Sequence, residues 1–267
     1  MKHRLIVQDI FIYPIKSLGG IRLSEAEVQE RGFQYDRRWM LVDSSGMFLT
    51  QRNLTQLALL EVKTVGDQLH VFSKKSPEIQ VQVPIGQAEG PEITVTIWDD
   101  ELLAKIVSNE IDQWFSKYLG FEAHLVVMPE STHRKVDPRY AVLDESVSFA
   151  DGMPYLLIGQ ESLDDLNSKL ASSVPMDRFR PNIVMTGGSA FFEDQLIKIK
   201  IGEVDFQIVK PCARCVLTTV DQASGEKGKE PLRTLSTYRT RNNKIYFGQN
   251  VVALQSGTVR VGDEIAY

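Results

Sequence analysis

The chain has 267 residues, 43% of them hydrophobic and 24% charged, an ordinary composition for a globular protein of one large or two small domains. Its formal net charge of −5 argues against a nucleic-acid binder, because such proteins usually present a basic surface. No run of 18 apolar residues occurs, and polar residues arrive too early for a secretory signal. We therefore expect no membrane span and a cytoplasmic protein.

Alternation of apolar and polar residues is the dominant pattern, and it predicts half-buried β-strands. The segments with this pattern are 5–13, 79–83, 93–98 and 196–201. Gly202 and Glu203 separate the last of them from the alternating segment 204–208, which predicts a hairpin. Residues 258–265 are expected to form a closing strand and turn.

A first amphipathic helix is predicted to begin at Ser108 or Asn109 and to end before Gly120. It would bury one face, formed by Ile111, Trp114, Phe115, Tyr118 and Leu119. A second helix would carry a leucine stripe at residues 163, 166 and 170. There we expect Ser162 and Asp165 to act as a capping pair at its start. The polar stretch 128–139 contains two prolines and predicts a loop.

Cys212 and Cys215 are the only cysteines of the chain. A zinc site needs two more ligands, and the four histidines form no suitably spaced cluster, so zinc is disfavoured. A redox dithiol would open a helix, whereas the residues after Cys215 predict a strand. Taken alone, the pair fits buried small residues better than ligands. So few cysteines indicate a reducing compartment.

Cations in the sequence favour a ligand role for the thiols. Lys210 and Arg214 flank the pair, and nearby positive charge favours the thiolate that binds soft metals. Other candidate cations occur in separate segments, at Lys16, Arg37, Arg38, Arg52 and Arg180. Each alone is best explained as a solvated charge or half of an ion pair, but a convergent set would clamp a phosphate.

Motifs of several other enzyme classes are missing from the sequence. It contains no Gly-x-x-x-x-Gly-Lys-Ser/Thr loop, no Gly-x-Gly-x-x-Gly turn and no Gly-x-Ser-x-Gly elbow. Nucleotide-binding folds and serine hydrolases therefore lose support.

Eight segments, in the same order, resemble the MOSC family in the branch that carries an N-terminal MOSC-type β-barrel domain. That branch includes the mitochondrial amidoxime-reducing component and bacterial reductases of N-hydroxylated bases. The segments are Tyr13–Ser17, Asp36–Trp39, Phe149–Tyr155, Phe179–Ile183, Cys212–Asp221, Glu230–Leu232, Phe247–Asn250 and Val261–Glu264. Together they span nearly the whole chain.

The resemblance implies a mainly β fold with some helices. An N-terminal MOSC-type β-barrel domain over residues 1–125 would pack on a C-terminal MOSC β-barrel over residues 126–267. A molybdenum cofactor, molybdenum bound to molybdopterin, would lie in the cleft between them.

The resemblance also implies the site residues. The metal-binding and catalytic thiol matches Cys215, Cys212 becomes its neighbour, and Asp151 matches an acidic catalytic position near the metal. The remaining positions match cofactor contacts: Lys16, Ser17, Arg37, Gly152, Met153, Arg180, Asn182, Ala213, Arg214 and Asn250. At Gly152 and Met153 some relatives carry hydroxyl residues, so only backbone contacts are expected here.

By the same resemblance, the protein would be a molybdenum-dependent reductase of small N-hydroxylated compounds such as N-oxygenated bases, amidoximes and hydroxylamines. The sequence contains neither the cysteine-rich ferredoxin domain of some bacterial members nor the membrane anchor of the mitochondrial ones. Electrons would then come from a separate donor, a ferredoxin-like protein or a flavin reductase. Two rivals stay open: a non-catalytic carrier of the cofactor or of sulfur, and a β-barrel interaction protein without metal.

Overall fold

The computed structural model describes residues 4–267 and confirms the mainly β fold. The strands of this part of the chain are β1 (Leu5–Ile12), β2 (Ile21–Leu23), β3 (Glu25–Gln29), β4 (Gly32–Phe33), β5 (Trp39–Asp43), β6 (Leu60–Val65), β7 (Gln68–Ser73), β8 (Gln80–Pro84), β9 (Glu92–Ile97), β10 (Asp100–Ile106), β11 (Ala123–Val127), β12 (Tyr155–Gly159), β13 (Ile183–Thr186), β14 (Lys198–Ile201), β15 (Val204–Ala213), β16 (Thr240–Arg241), β17 (Lys244–Ala253), β18 (Gly257–Arg260) and β19 (Glu264–Ala266). Its α-helices are α1 (Asn109–Leu119), α2 (Gln160–Asn167) and α3 (Leu232–Ser236). Short 3-10 helices cover Thr55–Leu59, Met176–Arg178, Phe192–Gln195 and Val216–Thr219.

Seven strands close into a barrel in the order β12, β13, β1, β19, β14, β15 and β17, and β17 pairs back onto β12. The β12–β13 pair is parallel, and the other pairs of the barrel are antiparallel. Strands β12 and β13 are apolar on both faces, as expected for strands covered on both sides. Helix α2 packs beside them and covers the outside of the barrel.

Strand β1 belongs to the barrel although it comes from the beginning of the chain. It pairs with β13 on one side and with β19 on the other. Leu5 and Val7 are buried, and after an irregularity between Val7 and Asp9 the buried positions become Ile10 and Ile12. Such a bulge shifts the alternation by one residue and keeps the apolar side chains in the core. The barrel is therefore not contiguous in sequence.

The first half of the chain also forms smaller sheets. Their strand orders are β5–β11–β10–β9, β6–β7–β8 and, with a strand from the other end of the chain, β18–β3–β4. Helix α1 packs on β11 and β8, and its apolar face enters the core of this half. Ser108 is the N-cap, with its hydroxyl accepting a bond from the Ile111 N–H, and Gly120 ends the helix in the left-handed conformation. The predicted first helix is confirmed.

The β14–β15 hairpin is also as predicted, with Ile201 opposite Val204 and Gly202 at positive φ. The predicted start of the second helix is wrong. Helix α2 has Gly159 as its N-cap without a side-chain bond, and it ends at Asn167, before the third leucine of the stripe. Ser162 lies inside the helix, where its hydroxyl donates to the buried Glu193 carboxylate at 2.8 Å. This tertiary partner satisfies the hydroxyl that the sequence pattern assigned to a cap.

The strand predicted after Cys215 is wrong as well, because Val216–Thr219 is a 3-10 helix. The Thr218 hydroxyl donates to the Cys215 carbonyl at 3.0 Å, and the Thr219 hydroxyl donates to the Val216 carbonyl at 2.7 Å. These local bonds compete with strand pairing and tighten the turn. The segment 258–265 contains two strands, β18 and β19, which belong to different sheets.

Candidate functional site

A cleft of about 790 Å³, including its open mouth, lies where several barrel strands end. The end of β1, the start of β12, the start of β13 and the end of β15 all point to this place, because of how these strands pair. All twelve site residues proposed from the sequence line it: Lys16, Ser17, Arg37, Asp151, Gly152, Met153, Arg180, Asn182, Ala213, Arg214, Cys215 and Asn250. Their individual roles stay predictions.

The cleft is strongly cationic in a chain that is acidic as a whole. Five of its described lining residues are cations, and one is a carboxylate: Lys16, Arg37, Arg52, Arg180, Arg214 and Asp151. Such a concentration of positive charge attracts an anion and favours phosphate or carboxylate ligands.

Asp151 anchors two of these cations. It accepts a bond from Lys16 Nζ at 2.7 Å and another from Arg52 Nη2 at 2.5 Å. The cleft partly desolvates the Asp151 carboxylate, whose side chain is 54% exposed, but the attraction of Lys16 and Arg52 outweighs this effect and holds the pKa well below its usual range. Asp151 is therefore an ionised acceptor at neutral pH and not a source of protons.

Lys16 is buried, with 5% of its side chain exposed. Burial lowers the pKa of Lys16 to about 8, against the opposing attraction of Asp151. Nζ also donates to the Phe149 carbonyl at 2.7 Å. Two of the three ammonium N–H donors are thus used within the protein, and the third is available to a ligand.

Arg37 is fixed by a network of buried polar groups. Its Nη1 donates to Asp36 Oδ2 at 2.7 Å and to Asn182 Oδ1 at 3.1 Å, and its Nη2 donates to the Arg180 carbonyl at 3.1 Å. Asn182 also donates from Nδ2 to the Phe11 carbonyl at 3.2 Å. Both the oxygen and the nitrogen of the Asn182 amide are therefore occupied within the protein. Its role is to orient Arg37 and the surrounding chain.

Arg180 offers the best-defined free donor of the cleft. Its Nη1 donates to the Leu18 carbonyl at 2.8 Å, whereas Nη2 is buried without a hydrogen-bond partner in the protein. Burial lowers the pKa of Arg180 to about 10, so it stays charged at neutral pH. The centre of the Tyr13 ring lies 4.1 Å from the guanidinium carbon of Arg180 and 4.3 Å from that of Arg37. An unpaired buried donor is costly, and an anionic ligand would satisfy it.

Three of the nine described non-glycine residues with positive φ line this cleft. Ser17, Arg37 and Arg180 have φ of 68°, 50° and 53°, in the left-handed region that residues with a side chain rarely occupy. Strain of this kind costs about 1–3 kcal/mol per residue and persists where the surrounding structure imposes it, often at ligand sites.

The two thiols differ in their surroundings. Cys212 is the next-to-last residue of β15 and accepts a contact from Arg214 Nη1 at 2.9 Å, while Arg214 Nη2 donates to the Phe179 carbonyl. Cys215 stands at the start of the 3-10 helix and interacts with Arg52. Both are half-buried and line the cleft. No three His, Cys, Asp or Glu residues within 4–267 are grouped as a metal site.

Arg52 was noted in the sequence only as one of several scattered cations, and it was not assigned to the site. The structure brings it to Asp151 and Cys215, and it lies next to the Trp98 ring. Its segment, Thr50–Asn53, contains no recognisable motif, so only the fold could reveal it. Cys212, Phe179 and Thr218 also line the cleft and were not among the proposed site residues.

The fold and the cleft define a class: a mainly β protein in which a closed barrel and smaller sheets surround a cationic pocket with an accessible thiol. Comparison with protein families agrees with this description. Residues 4–122 match the model of the MOSC N-terminal beta barrel domain, and residues 144–266 match that of the MOSC domain. The chain belongs to the MOSC family.

Curated relatives match over nearly the whole chain. It is 31% identical to mitochondrial amidoxime-reducing component 1 of Mus musculus, over 97% of this chain and 81% of that protein. It is 33% identical to mitochondrial amidoxime reducing component 2 of Homo sapiens, over 97% of this chain and 82% of that protein. It is 32% identical to the molybdenum cofactor sulfurase of Oryza sativa subsp. japonica, over 91% of this chain but only 32% of that protein. Between residues 4 and 267, no helix combines the length and apolar character needed to cross a membrane.

Proposed function

We propose that the protein is a molybdenum-cofactor-dependent reductase of small N-hydroxylated compounds, supplied with electrons by a separate redox protein. The observation that carries the proposal is the cleft itself, which is lined by five cations and two half-buried thiols. The amidoxime-reducing relatives, which match over 97% of the chain, support the same activity.

The residues of the cleft fit a molybdopterin cofactor with an anionic phosphate. Arg180 would bind the phosphate through its unpaired Nη2, and Lys16 would add its third N–H. Arg37, locked by Asp36 and Asn182, would supply fixed positive charge beside them. Cys215 would bind the metal, since a thiolate suits a soft or high-valent metal.

When bound, the cofactor would supply the two electrons that, with two protons, convert an N–OH group into N–H and water. The protein supplies position and electrostatics. Asp151 would keep Lys16 and Arg52 in place as an ionised counter-charge. The backbone of Gly152 and Met153 would line the cofactor without side-chain bonds.

The proposal is tested with protein made in a host that synthesises the cofactor. We expect elemental analysis to find molybdenum in a stoichiometric amount. The pterin released from the denatured protein should be detected by its fluorescence. With reduced methyl viologen as electron source, the loaded protein should convert an N-hydroxylated purine to its amine. Loaded protein that leaves the hydroxylated base unchanged would sink the reductase assignment.

The two cysteines give a matched pair for the ligand assignment. Cys215→Ser should lose most of the molybdenum, because it loses the thiolate ligand. Cys212→Ser, three residues away and lining the same cleft, should keep most of it. Equal molybdenum in wild type and Cys215→Ser would remove Cys215 as the ligand.

A second candidate is a non-catalytic carrier of the cofactor, or a module that transfers sulfur. It is favoured by the similarity to a molybdenum cofactor sulfurase, of which the chain covers about a third. It predicts molybdenum binding without turnover in the methyl viologen assay. The same assay therefore separates the two candidates.

A further inference from the structure

Arg52 lines the same cleft as the proposed metal ligand, Cys215, although it lies outside every segment that carries the family resemblance. Its guanidinium and the Cys215 thiol line the same cleft, close enough for the positive charge to act on the sulfur. The residue lies in the loop after β5, yet only 14% of its side chain is exposed. A cation so well shielded beside a thiol needs an explanation.

Three further partners hold the Arg52 guanidinium in one orientation. Nη2 donates to Asp151 Oδ2 at 2.5 Å, and Nη1 donates to Thr50 Oγ1 at 3.0 Å. The Trp98 ring lies 4.7 Å from the guanidinium carbon. With its edges bonded and an aromatic ring beside it, the planar group has little freedom, and its place in the cleft with Cys215 is preset.

Trp98 reinforces this arrangement. It lies in the turn between β9 and β10 with φ of 56°, a rare conformation for a bulky residue, and it is 43% exposed. The Phe48 ring packs against it at 5.0 Å between centroids. Holding a large aromatic side chain in this strained and partly exposed state is unfavourable by itself, and the contact with Arg52 offsets part of that cost.

We propose that Arg52 is a positioning residue that orients the Cys215 sulfur and makes a metal bound there easier to reduce. The proposal rests on the proposed function, because it takes Cys215 as the ligand. Positive charge and a hydrogen bond at a metal-bound sulfur stabilise the electron-rich state of the metal. Asp151 then acts on the metal indirectly, by holding Arg52, and Trp98 covers the guanidinium.

The test is the midpoint potential of the bound molybdenum, followed by electron paramagnetic resonance during a redox titration. Arg52→Gln should keep its molybdenum content and lower the potential, because a positive charge near the sulfur is lost. The potential of Arg52→Lys, which keeps the charge, should lie between those of the wild type and Arg52→Gln. Arg31→Gln is the matched control, since Arg31 is similarly shielded at 11% exposure but pairs with Glu130, outside the cleft lining. It should leave the potential unchanged.

A second pair of variants covers the case in which Arg52→Gln does not retain metal. Trp98→Ala keeps every cleft donor and should lower the potential less than Arg52→Gln, whereas Trp98→Phe should restore it. An unchanged potential in Trp98→Ala and in any metal-retaining Arg52 variant overturns the proposal while leaving the reductase assignment intact. Equal molybdenum in wild type and Cys215→Ser removes the ligand and overturns this proposal alone, whereas no molybdenum in the wild type overturns both.

Discussion

Burial brings the pKa of Lys16 to about 8, so its charge changes within a range that binding assays can reach. Below that pKa the ammonium is charged and can bind an anion, and above it the charge is lost. We expect sulfate, whose own charge is constant there, to bind about tenfold more weakly at pH 9.5 than at pH 7, the loss of roughly one charge-assisted bond. Calorimetric titration at both pH values measures the change.

Lys16→Met serves as the control for this pH dependence. It should bind sulfate weakly at both pH values, with little difference between them, because no group titrates at that position. A wild-type affinity that is constant up to pH 9.5 and equal to that of Lys16→Met would show that Lys16 does not contact the anion.

Ser17 is held at φ of 68°, where glycine carries no steric cost. Ser17→Gly should raise the free energy of unfolding by about 1 kcal/mol, the strain relieved less the added flexibility of the unfolded chain. The same variant should bind the cofactor more weakly, because the hydroxyl is lost. Urea denaturation of the metal-free protein measures the stability.

Ser256 provides the comparison, since it is an exposed serine outside the positive-φ set. Ser256→Gly should lower the free energy of unfolding by about 0.5–1 kcal/mol. Equal effects of the two substitutions would mean that the left-handed backbone at Ser17 carries no strain.

Sequence motifs could place twelve residues in one cleft because each lies in a segment with a recognisable order of side chains. They could not assign Arg52, whose importance depends on long-range contacts with Asp151 and Cys215. They also could not show that the Asn182 amide is already occupied, by Arg37 and the Phe11 carbonyl. Burial and partner geometry are properties of the fold, and periodicity contains little information about them.

At the scale of elements, closure of the barrel depends on Gly248 in β17. Its φ is 79°, and an added Cβ would lie 2.7 Å from Ile158 Cγ1 and 2.9 Å from the Leu157 carbonyl oxygen, both in β12. Gly248→Ala should lower the free energy of unfolding through both backbone strain and overpacking, by about 1–3 kcal/mol beyond the strain alone. Chemical denaturation gives the difference.

Substitution of Gly66 measures the cost of the left-handed backbone conformation without overpacking. It lies in the turn between β6 and β7 at φ of 60°, with nothing within 4 Å of an added Cβ. Gly66→Ala should cost about 1 kcal/mol, for the left-handed conformation only. If the two alanine variants are equally stable, the β12–β17 contact is not as tight as described.

Sequence periodicity predicted the elements well where local signals agreed with tertiary packing. In α1 the apolar face, the Ser108 cap and the Gly120 end all indicate the same helix. It failed where a tertiary partner or a local bond decided the outcome. Ser162 bonds Glu193 instead of capping α2, and threonine hydroxyls turn Val216–Thr219 into a 3-10 helix.

At the scale of the whole molecule, the cut proposed between residues 125 and 126 separates β1 from the barrel that it completes. A fragment of residues 126–267 would leave the edges of β13 and β19 that face β1 unpaired. We expect this fragment to lack cooperative unfolding and to bind a hydrophobic dye. Calorimetry and dye fluorescence measure both properties.

The lost pairing of this fragment can be restored by adding β1 at its other end. Leu5 pairs with Ile265, so the start of β1 lies beside β19. Residues 4–24, fused after residue 267 through a short Gly/Ser linker, should restore a cooperative transition. A fragment that unfolds cooperatively without this addition would show that β1 is dispensable for the barrel.

The place of β1 between β13 and β19 also has a consequence for biosynthesis. The ribosome produces β1 first among the barrel strands and β19 last, so both neighbours of β1 appear only after most of the chain has been made. Until then, the apolar side chains of Leu5, Val7, Ile10 and Ile12 lack their native cover. Such late, long-range pairing slows folding and leaves aggregation-prone hydrophobic surface exposed. A nascent chain of this protein should therefore depend on chaperone protection until its final strand is released.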